Sequence, residues 1–290
     1  MAIDRIWIFE GKAGKNFPKE KELLIQELKR AFKVDSKLTA KTSLAVSLAG
    51  DGSLLSMIRN MGEKRFDIPV LGVHTSDGLG FLHRLALPGK SASSSLTLKA
   101  WSKKFIEMLK TGSYQLQKRW GVEAPLRRHH LCWGMNDLVM SKGALSRMVS
   151  LKVKVDGSLL FAKLRGDGLI IASPTGSTAY SLAAGGPIVV PGLDGILITP
   201  ILPHEIAQRP IVISSNSSVQ IEVLDGPPCY LTEDGQRTTE IKAGQSFTIQ
   251  KSSKPICWLE PEMEGVRDYF ELLRTKLGLG GEKGACIDKS

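Results

Sequence analysis

The 290-residue sequence has only four cysteines, and they are far apart in the chain. No two of them form the closely spaced pair of a zinc ribbon or a redox motif. They indicate free thiols in a reducing compartment, so we expect a cytoplasmic protein. The run His129-His130-Leu131-Cys132 has no second ligand pair at a suitable spacing, so we interpret it as a strand with surface histidines and expect no metal site there.

The sequence also lacks an apolar run of the roughly 20 residues that a membrane helix needs. Its first residues, Met1 to Ile6, include an early acid and have no signal-peptide core. Hydrophobic residues make up 42% of the chain and charged residues 23%, which is typical of a globular protein. We therefore expect no membrane partner.

Aromatic residues are scarce, at 6% of the chain, so the sequence does not support a base-stacking platform. The net charge is +10, but the lysines and arginines are spread along the chain, with one modest enrichment between residues 12 and 41. Such a spread favours a small anionic ligand over a nucleic acid, whose binding needs a basic stripe.

Two common nucleotide-binding motifs are missing. The segment Gly11 to Lys15 is similar to a P-loop, but Phe9 stands where the first P-loop glycine is required and no Ser or Thr follows Lys15. No GxGxxG joins a strand to a helix in the first half of the chain, so a dehydrogenase-type dinucleotide fingerprint is unsupported.

The first 112 residues alternate apolar runs with helical periodicity. We expect strands at residues 3–9, 44–48 and 68–73, and helices at residues 19–32, 53–61 and around 98–108. This alternation predicts a parallel sheet covered by helices. Ligands of such sheets bind beyond the carboxyl ends of the strands, which is where Asp51 falls.

After Gly112 the chain consists of short alternating runs separated by turn residues. Asp156-Gly157 between two such runs is a two-residue hairpin signal. Further strand candidates include residues 114–122, 138–140, 148–155, 158–164 and 188–190. Many short strands predict a β-sandwich or a related all-β domain. A last helix is expected at residues 263–277.

The expected fold class is therefore α/β plus all-β. Residues 1–112 would form a Rossmann-like parallel α/β domain, residues 113–260 a β-sandwich-like domain, and residues 261–290 a C-terminal helical segment.

Two stretches have the residue types of a phosphate or nucleotide site. In the first, the apolar run Leu44 to Leu48 is followed by Ala49-Gly50-Asp51-Gly52-Ser53 and then by helical spacing. Glycines leave room for a substrate, and an acid there can bind Mg²⁺ or accept a proton from a hydroxyl. An ordinary Asp-Gly turn is the alternative.

The second stretch is Leu164-Arg165-Gly166-Asp167-Gly168, followed by an apolar run and by Ser173-Pro174-Thr175-Gly176-Ser177-Thr178-Ala179-Tyr180. Ser177 and Thr178 beside glycine are typical of a helix start, where a phosphate or a ribose hydroxyl can approach the backbone. A capped turn without a ligand explains the same residues.

Taken together, these stretches resemble the NAD kinase family. Ala49 to Ser53 resembles its GGDG loop, Gly80-Phe81-Leu82 lies in a match to its LGFL segment, and Gly166 to Tyr180 is similar to its GDG and TPTGSTAY signature. Asn136-Asp137 stands where the family has an Asn-Glu pair, and Asp234-Gly235-Gln236 is similar to its late DGQ turn. The resemblance extends over most of the chain, to a closing helix that it implies packs on the first domain.

The resemblance implies an enzyme that phosphorylates the adenosine-ribose 2′-hydroxyl of NAD with ATP or another phosphate donor and a divalent metal such as Mg²⁺. It implies that Asp51 is the catalytic base or a metal ligand, and that the protein forms a homodimer or homotetramer. The residues implied to bind the substrates are Gly50, Gly52, Asn136, Asp137, Arg147, Arg165, Asp167, Thr175, Gly176, Ser177, Thr178, Ala179, Tyr180 and Gln236.

The sequence departs from the family pattern at three places. Ala49 replaces the first glycine of the loop, and Asp137 is one methylene shorter than the family's Glu. The segment from Gly72 to Gly80 has no Asn before LGFL and contains Asp77, whose carboxylate would repel a phosphate donor unless a metal bridges them.

Three other functions are alternatives to an NAD kinase. A lipid or sugar kinase would share the GGDG-like loop but not the segment Thr175 to Tyr180. A non-catalytic NAD-binding protein is suggested by the altered segment before LGFL. A nucleic-acid-binding protein is disfavoured by the scattered charge.

Overall fold

The computed structural model describes residues 3–11, 18–75, 80–88, 95–126, 130–143, 148–225 and 228–279. The chain divides into two compact units, the first made of Met1–Gln117 with Ile256–Ser290 and the second of Lys118–Pro255. The first is a mainly parallel α/β unit and the second consists of antiparallel sheets, which confirms the predicted fold class.

The first unit contains all the longer helices of the described chain. Its strands are β1 (Arg5–Phe9), β2 (Lys33–Asp35), β3 (Leu44–Leu48), β4 (Val70–His74), β5 (Leu85–Ala86), β6 (Tyr114–Arg119, which extends two residues past the division) and β19 (Ile256–Pro261). Its helices are α1 (Pro18–Ala31), α2 (Asp51–Asn60), α3 (Ser95–Thr111) and α5 (Tyr269–Leu277).

These strands form one seven-stranded sheet in the order β2-β1-β3-β4-β19-β6, with β5 also paired to β4. The pairs β1–β3 and β3–β4 are parallel, and every residue of β3 and β4 is buried. Continuous burial is expected of the central strands of a parallel sheet. Leu24 and Leu28 of α1 pack in the same core as Phe105 of α3.

The described part of the second unit is built from twelve strands and one short helix. Its strands are β7 (Val122–Pro125), β8 (Leu131–Gly134), β9 (Asp137–Lys142), β10 (Val149–Val155), β11 (Ser158–Gly166), β12 (Gly168–Ala172), β13 (Gly195–Ile201), β14 (Ile211–Ser214), β15 (Val219–Asp225), β16 (Cys229–Glu233), β17 (Arg237–Ile241) and β18 (Ser246–Lys251), and the helix is α4 (Tyr180–Ala183).

The strands of the second unit form two six-stranded antiparallel sheets. One has the order β11-β10-β15-β18-β7-β8 and the other β14-β13-β12-β9-β16-β17. Alternate apolar residues from both sheets meet in a single core, which is the arrangement of a β-sandwich. The predicted hairpin is confirmed, since Asp156 and Gly157 join β10 to β11 with φ angles of 48° and 82°.

Several predicted boundaries differ from the structure. The expected limits at residues 112 and 260 lie close to β6 and β19, which pair with each other in the first sheet, so the structural division comes after Gln117 and before Ile256. Residues 188–190 form no strand. The last helix begins only at Tyr269, because Gly265 has a φ of 87° and Asp268 caps the new helix through the N–H of Phe270.

No helix within the described ranges combines the length and apolar character needed to cross a membrane.

Candidate functional site

Asp51 is the first residue of α2, directly after the buried strand β3. Gly50 caps the helix in an extended conformation, with φ −94° and ψ 177°. A carboxylate in the first turn of a helix is favoured by the helix dipole. A side chain at Gly52 would meet no neighbouring atom and one at Gly50 only an ordinary contact with His74, so the space beside Asp51 is open.

The Asp51 carboxylate is held by the segment that follows residue 79. The backbone N–H of Phe81 donates to Oδ2 at 2.7 Å, and the N–H of Leu82 donates to Oδ1 at 3.2 Å. The ring Nδ1 of His83 lies 2.7 Å from Oδ1. A Cβ on Gly80 would collide with the carboxylate, so a glycine is needed for this close approach.

Two side chains near Asp51 were not identified from the sequence. His83 has no exposed side-chain surface, and its ring packs edge-on against His74 with centroids 5.4 Å apart. Its Nε2 has no hydrogen-bond partner in the part of the chain that the structure describes. Lys276 of α5 lies over the Phe81 ring, 4.1 Å from its centroid. The signal in the sequence that could have identified His83 is its position directly after the Gly80-Phe81-Leu82 motif.

These neighbours decide the protonation of Asp51. Burial alone would raise its pKa, but the hydrogen bond and charge of His83, the N–H of Phe81 and the charge of Lys276 together lower it below the ordinary value. Burial in turn lowers the pKa of Lys276, and Asp51 partly offsets that change. Asp51 is therefore ionised at neutral pH, and 30% of its side-chain surface remains exposed.

In the second unit, the carboxylate of Asp234 fixes the loop between β8 and β9. Its Oδ1 accepts the N–H of Asn136 at 2.8 Å and of Asp137 at 3.1 Å, and its Oδ2 accepts the N–H of Met135 at 3.0 Å. Asp234 and Gly235 have φ angles of 46° and 67°, a left-handed turn that Asp and Gly tolerate well. The turn thereby holds Asn136 and Asp137 in one position.

This loop lines a pocket of about 400 Å³ within the second unit. The pocket is lined by Asn136, Asp137, Val139, Ser141, Ala179, Tyr180, Thr232, Asp234 and Gly235. The Oδ1 atom of Asn136 is buried and has no hydrogen-bond partner among the described residues, whereas Tyr180 is about half exposed. A buried acceptor without a donor is costly unless a ligand supplies the donor.

The carboxyl group of Asp137 is strongly perturbed by its surroundings. Burial, together with the neighbouring charge of Asp234, raises its pKa to about 7. A carboxyl group with this pKa can accept or donate a hydrogen bond near neutral pH.

The Ser173 to Thr178 segment supports this loop from behind. The hydroxyl of Ser173 donates to the Met135 carbonyl at 2.7 Å, and a Cβ on Gly176 would collide with the Asn136 backbone. The Ser177 hydroxyl is buried, 2.7 Å from the Pro174 carbonyl and 3.0 Å from the Val189 carbonyl.

The expected helix start at Ser177 and Thr178 is wrong. Thr175–Thr178 form a turn of 3-10 helix, and α4 begins only at Tyr180. No side chain caps either element, because the Ser177 hydroxyl is used in internal hydrogen bonds and the Thr178 hydroxyl reaches only the Thr175 carbonyl, at 3.5 Å.

Three further predicted site residues of the second unit lie outside the pocket. Arg165 is exposed on β11, and Asp167 forms an ion pair with Lys142 at 2.8 Å. Asp167 precedes Gly168, whereas Asp137 pairs with Ala172, so the two acids lie at opposite ends of β12, roughly 13 Å apart along the strand. Thr175 is buried and faces a different cavity.

Three other residues named in the sequence analysis lie at the margin of the pocket or outside the described residues. Gln236 is exposed and follows the pocket residue Gly235. Arg147 lies outside the described residues, as do positions 76–79, which include Asp77.

Comparisons with known proteins identify this architecture. Residues 135–260 match the family model described as the ATP-NAD kinase C-terminal domain. The NAD kinase of Syntrophotalea carbinolica is 38% identical over 242 residues, covering 82% of this chain and 78% of its own. The NAD kinase of Pseudomonas putida is 36% identical over 251 residues, covering 84% and 78%.

Solved structures share the fold. A yeast NADH kinase in complex with NADH superposes with a TM-score of 0.81 at 22% identity, covering 100% of this chain and 91% of that chain. An NAD kinase from Archaeoglobus fulgidus in complex with ATP gives 0.73 at 22% identity, covering 93% and 98%.

We predict that Gly176→Ala destabilises the protein by about 1–3 kcal/mol, because the new Cβ has to displace the Asn136 backbone. Chemical denaturation of both proteins measures the change. Gly52→Ala is the control: Gly52 lies in α2 with open space around it, so alanine there should leave stability unchanged or raise it by up to about 1 kcal/mol. Equal effects at the two sites would contradict the packing role of Gly176.

We also predict that Asp137 makes the wild-type protein less stable as pH rises from about 4 to about 7. Its pKa is 3.8 in an ordinary environment and about 7 in the fold, so the folded state binds the proton more tightly across this window. The favourable contribution is complete below the lower value and lost above the higher one.

Unfolding free energies measured near pH 5 and near pH 8 test this for wild type and Asp137→Asn. Wild type should lose more stability between the two conditions than the variant, since Asn does not titrate. Parallel pH profiles would refute the shift.

Proposed function

Because this chain belongs to the NAD kinase family, we propose that it transfers the terminal phosphoryl group of ATP to the 2′-hydroxyl of the adenosine ribose of NAD. The curated relatives are named NAD kinase, and the matches to this chain cover 78% and 80% of their length. The fold is that of NAD and NADH kinases of known structure. The assignment of individual residues that follows is our proposal.

The pocket around Asn136 supports binding of the dinucleotide. NAD offers flat rings, sugar hydroxyls and an amide, and the pocket offers the exposed Tyr180 ring, the partnerless Asn136 Oδ1 and the Asp137 carboxyl group. Its volume of about 400 Å³ is within the range of small-molecule sites. The Asn136 amide oxygen is the observation that carries the proposal, because only an external donor satisfies it in the described structure.

Asp51 is the proposed catalytic residue. Two N–H groups and His83 occupy three lone-pair directions of its carboxylate. Among the described residues Oδ2 accepts only from Phe81, so it keeps one lone pair to accept the ribose hydroxyl proton. His83 is then a positioning residue, since it touches Asp51 and is itself completely buried.

The reaction needs few protein groups. The ribose oxygen attacks the γ-phosphorus of ATP, the bond from that phosphorus to the ADP oxygen breaks, and the hydroxyl proton passes to Asp51. Phosphoryl transfer of this kind depends on in-line positioning and on charge neutralisation. Gly50 and Gly52 leave the space beside Asp51 in which phosphates would fit.

The residues present fit a magnesium ion that enters with the nucleotide. In the described part of the chain, Asp51 belongs to no group of three metal-ligating side chains. Mg²⁺ typically uses one or two carboxylates together with substrate phosphates. The free lone pair of Asp51 serves either the ribose hydroxyl or the ion, so with Asp51 as the base the ion would be held by the substrate phosphates and water. Bound there, it would neutralise phosphate charge.

Further predictions of the sequence stay proposals. They are contacts of the substrates with Arg147, Arg165, Asp167, Thr175, Gly176, Ser177, Thr178, Ala179 and Gln236. A cytoplasmic location and a homodimer or homotetramer stay predictions as well.

We predict that Asp51→Asn lowers kcat by two to four orders of magnitude, about what general-base catalysis contributes. NADP formation from NAD, ATP and Mg²⁺ by the purified protein measures the loss. Asp67→Asn is a matched control, because Asp67 is an exposed acid of the same unit outside the Asp51 contacts. Its activity should equal that of wild type.

The same assay separates the other functions. If wild type binds NAD but makes no NADP with ATP or with polyphosphate, the chain is a non-catalytic NAD-binding protein. If it phosphorylates a lipid or a sugar and not NAD, the assignment of the pocket to NAD is wrong.

We predict that Tyr180→Ala weakens NAD binding about 5- to 100-fold, the range of a lost aromatic stacking contact. The Tyr180 side chain is about half exposed, so the melting temperature should hardly change. Tyr180→Phe keeps the ring and should retain most of the affinity. Unchanged NAD affinity in Tyr180→Ala, measured by calorimetry, would remove Tyr180 from the site.

A further inference from the structure

A second group of ligand-type side chains lies in the β-sandwich, outside the residues proposed for NAD. His130, Cys132 and Glu233 each offer one ligand atom, and these three atoms lie within 4.8 Å of one another. His130 is exposed, whereas Cys132 and Glu233 are buried. We propose that this group binds one zinc ion.

The three residues come together through the packing of the two sheets. His130 directly precedes β8 and Cys132 lies on it, at the edge of one sheet, while Glu233 ends β16 in the other sheet. The sequence pattern predicted no metal site at His130 and Cys132, because the further ligand Glu233 is about a hundred positions from Cys132 in the chain. A metal here would link the two sheets at their open edge.

The ligand types select the metal. A thiol, an imidazole and a carboxylate are the usual ligands of zinc, whereas Mg²⁺ and Ca²⁺ need oxygen alone. Zinc holds sulfur at about 2.3 Å and nitrogen or oxygen at about 2.0–2.2 Å, so its ligand atoms stand roughly 3.3–3.8 Å apart. His130 is exposed and its side chain can turn toward the other two, which closes the remaining gap.

The surroundings of Cys132 leave a place for a cation. The buried thiol lies beside the buried Glu233 side chain, and a metal ion there would bind the thiol as its thiolate. The backbone N–H of Trp133 donates to Glu233 Oε2 at 3.2 Å and would fix that ligand from behind.

Room for a fourth ligand exists. Thr239 Oγ1 lies 3.2 Å from His130 Nε2 and 3.8 Å from Cys132 Sγ. His130 and Thr239 line a cavity of about 480 Å³ through which a water molecule could reach the metal. Three protein ligands and one water complete a tetrahedral zinc site.

Metal titration of the full-length protein tests this inference. After removal of metals with a chelator, cobalt should produce the near-ultraviolet thiolate charge-transfer band, and zinc should displace it at one equivalent per chain. Cys132→Ser should abolish the band and weaken zinc binding about 100-fold or more, since the thiolate is the strongest ligand.

Two further variants guard against effects on folding. His130→Ala changes an exposed residue, so the variant should fold normally yet lose tight zinc binding and the rise in melting temperature that zinc gives wild type. Cys229→Ser removes another buried thiol of the same unit that lies outside the group, and it should bind zinc as wild type does. Absence of the cobalt band in wild type, or its persistence in Cys132→Ser, would overturn the proposal.

Discussion

The hydrogen bonds from three successive backbone N–H groups to the Asp234 carboxylate are the constraint on which the second unit's pocket depends. They join the loop between β8 and β9 to the turn between β16 and β17, so Asn136 and Asp137 have one position instead of many. The same carboxylate places a negative charge beside Asp137 and adds to the rise of its pKa. A fold selected only for stability would avoid two such neighbouring acids, and their presence is what a binding site would show.

In the first unit a carboxylate is also held by backbone N–H groups, but the pKa of that acid shifts in the opposite direction. Asp51 also accepts backbone N–H groups, from Phe81 and Leu82, but its other neighbours are His83 and Lys276 rather than a second acid. Its pKa is therefore lowered while that of Asp137 is raised. Two carboxyl groups of one chain thus favour different protonation states because of their surroundings, a difference that commonly separates the roles of acids in enzymes.

Sequence patterns predicted the structural elements that depend on neighbouring residues in the chain. The buried strand before Asp51, the hairpin at Asp156-Gly157 and the sandwich character of the second unit follow from periodicity and turn chemistry, and the structure has all three. In the folded unit the Asn136 backbone lies against Gly176 and leaves no room for a side chain there. The sequence could not show this reason for the glycine, since the contact forms only on folding. The group of His130, Cys132 and Glu233 was missed for the same reason: spacing along the chain says little about strands that meet across a sandwich.

The lowered pKa of Asp51 makes it a weak base, and a weak base takes a proton from a sugar hydroxyl only with difficulty. In the loose transition state of phosphoryl transfer, however, the bond to the attacking oxygen is barely formed, so that hydroxyl becomes acidic only late in the reaction. What the reaction needs before that point is a hydrogen-bond acceptor in a fixed place. Such a place is supplied by two N–H groups and a buried imidazole, whose approach the glycine at position 80 permits. These contacts lower the proton affinity of Asp51, which an early proton transfer would require. The contacts around Asp51 therefore suit an acceptor that orients the nucleophile better than one that ionises it in advance.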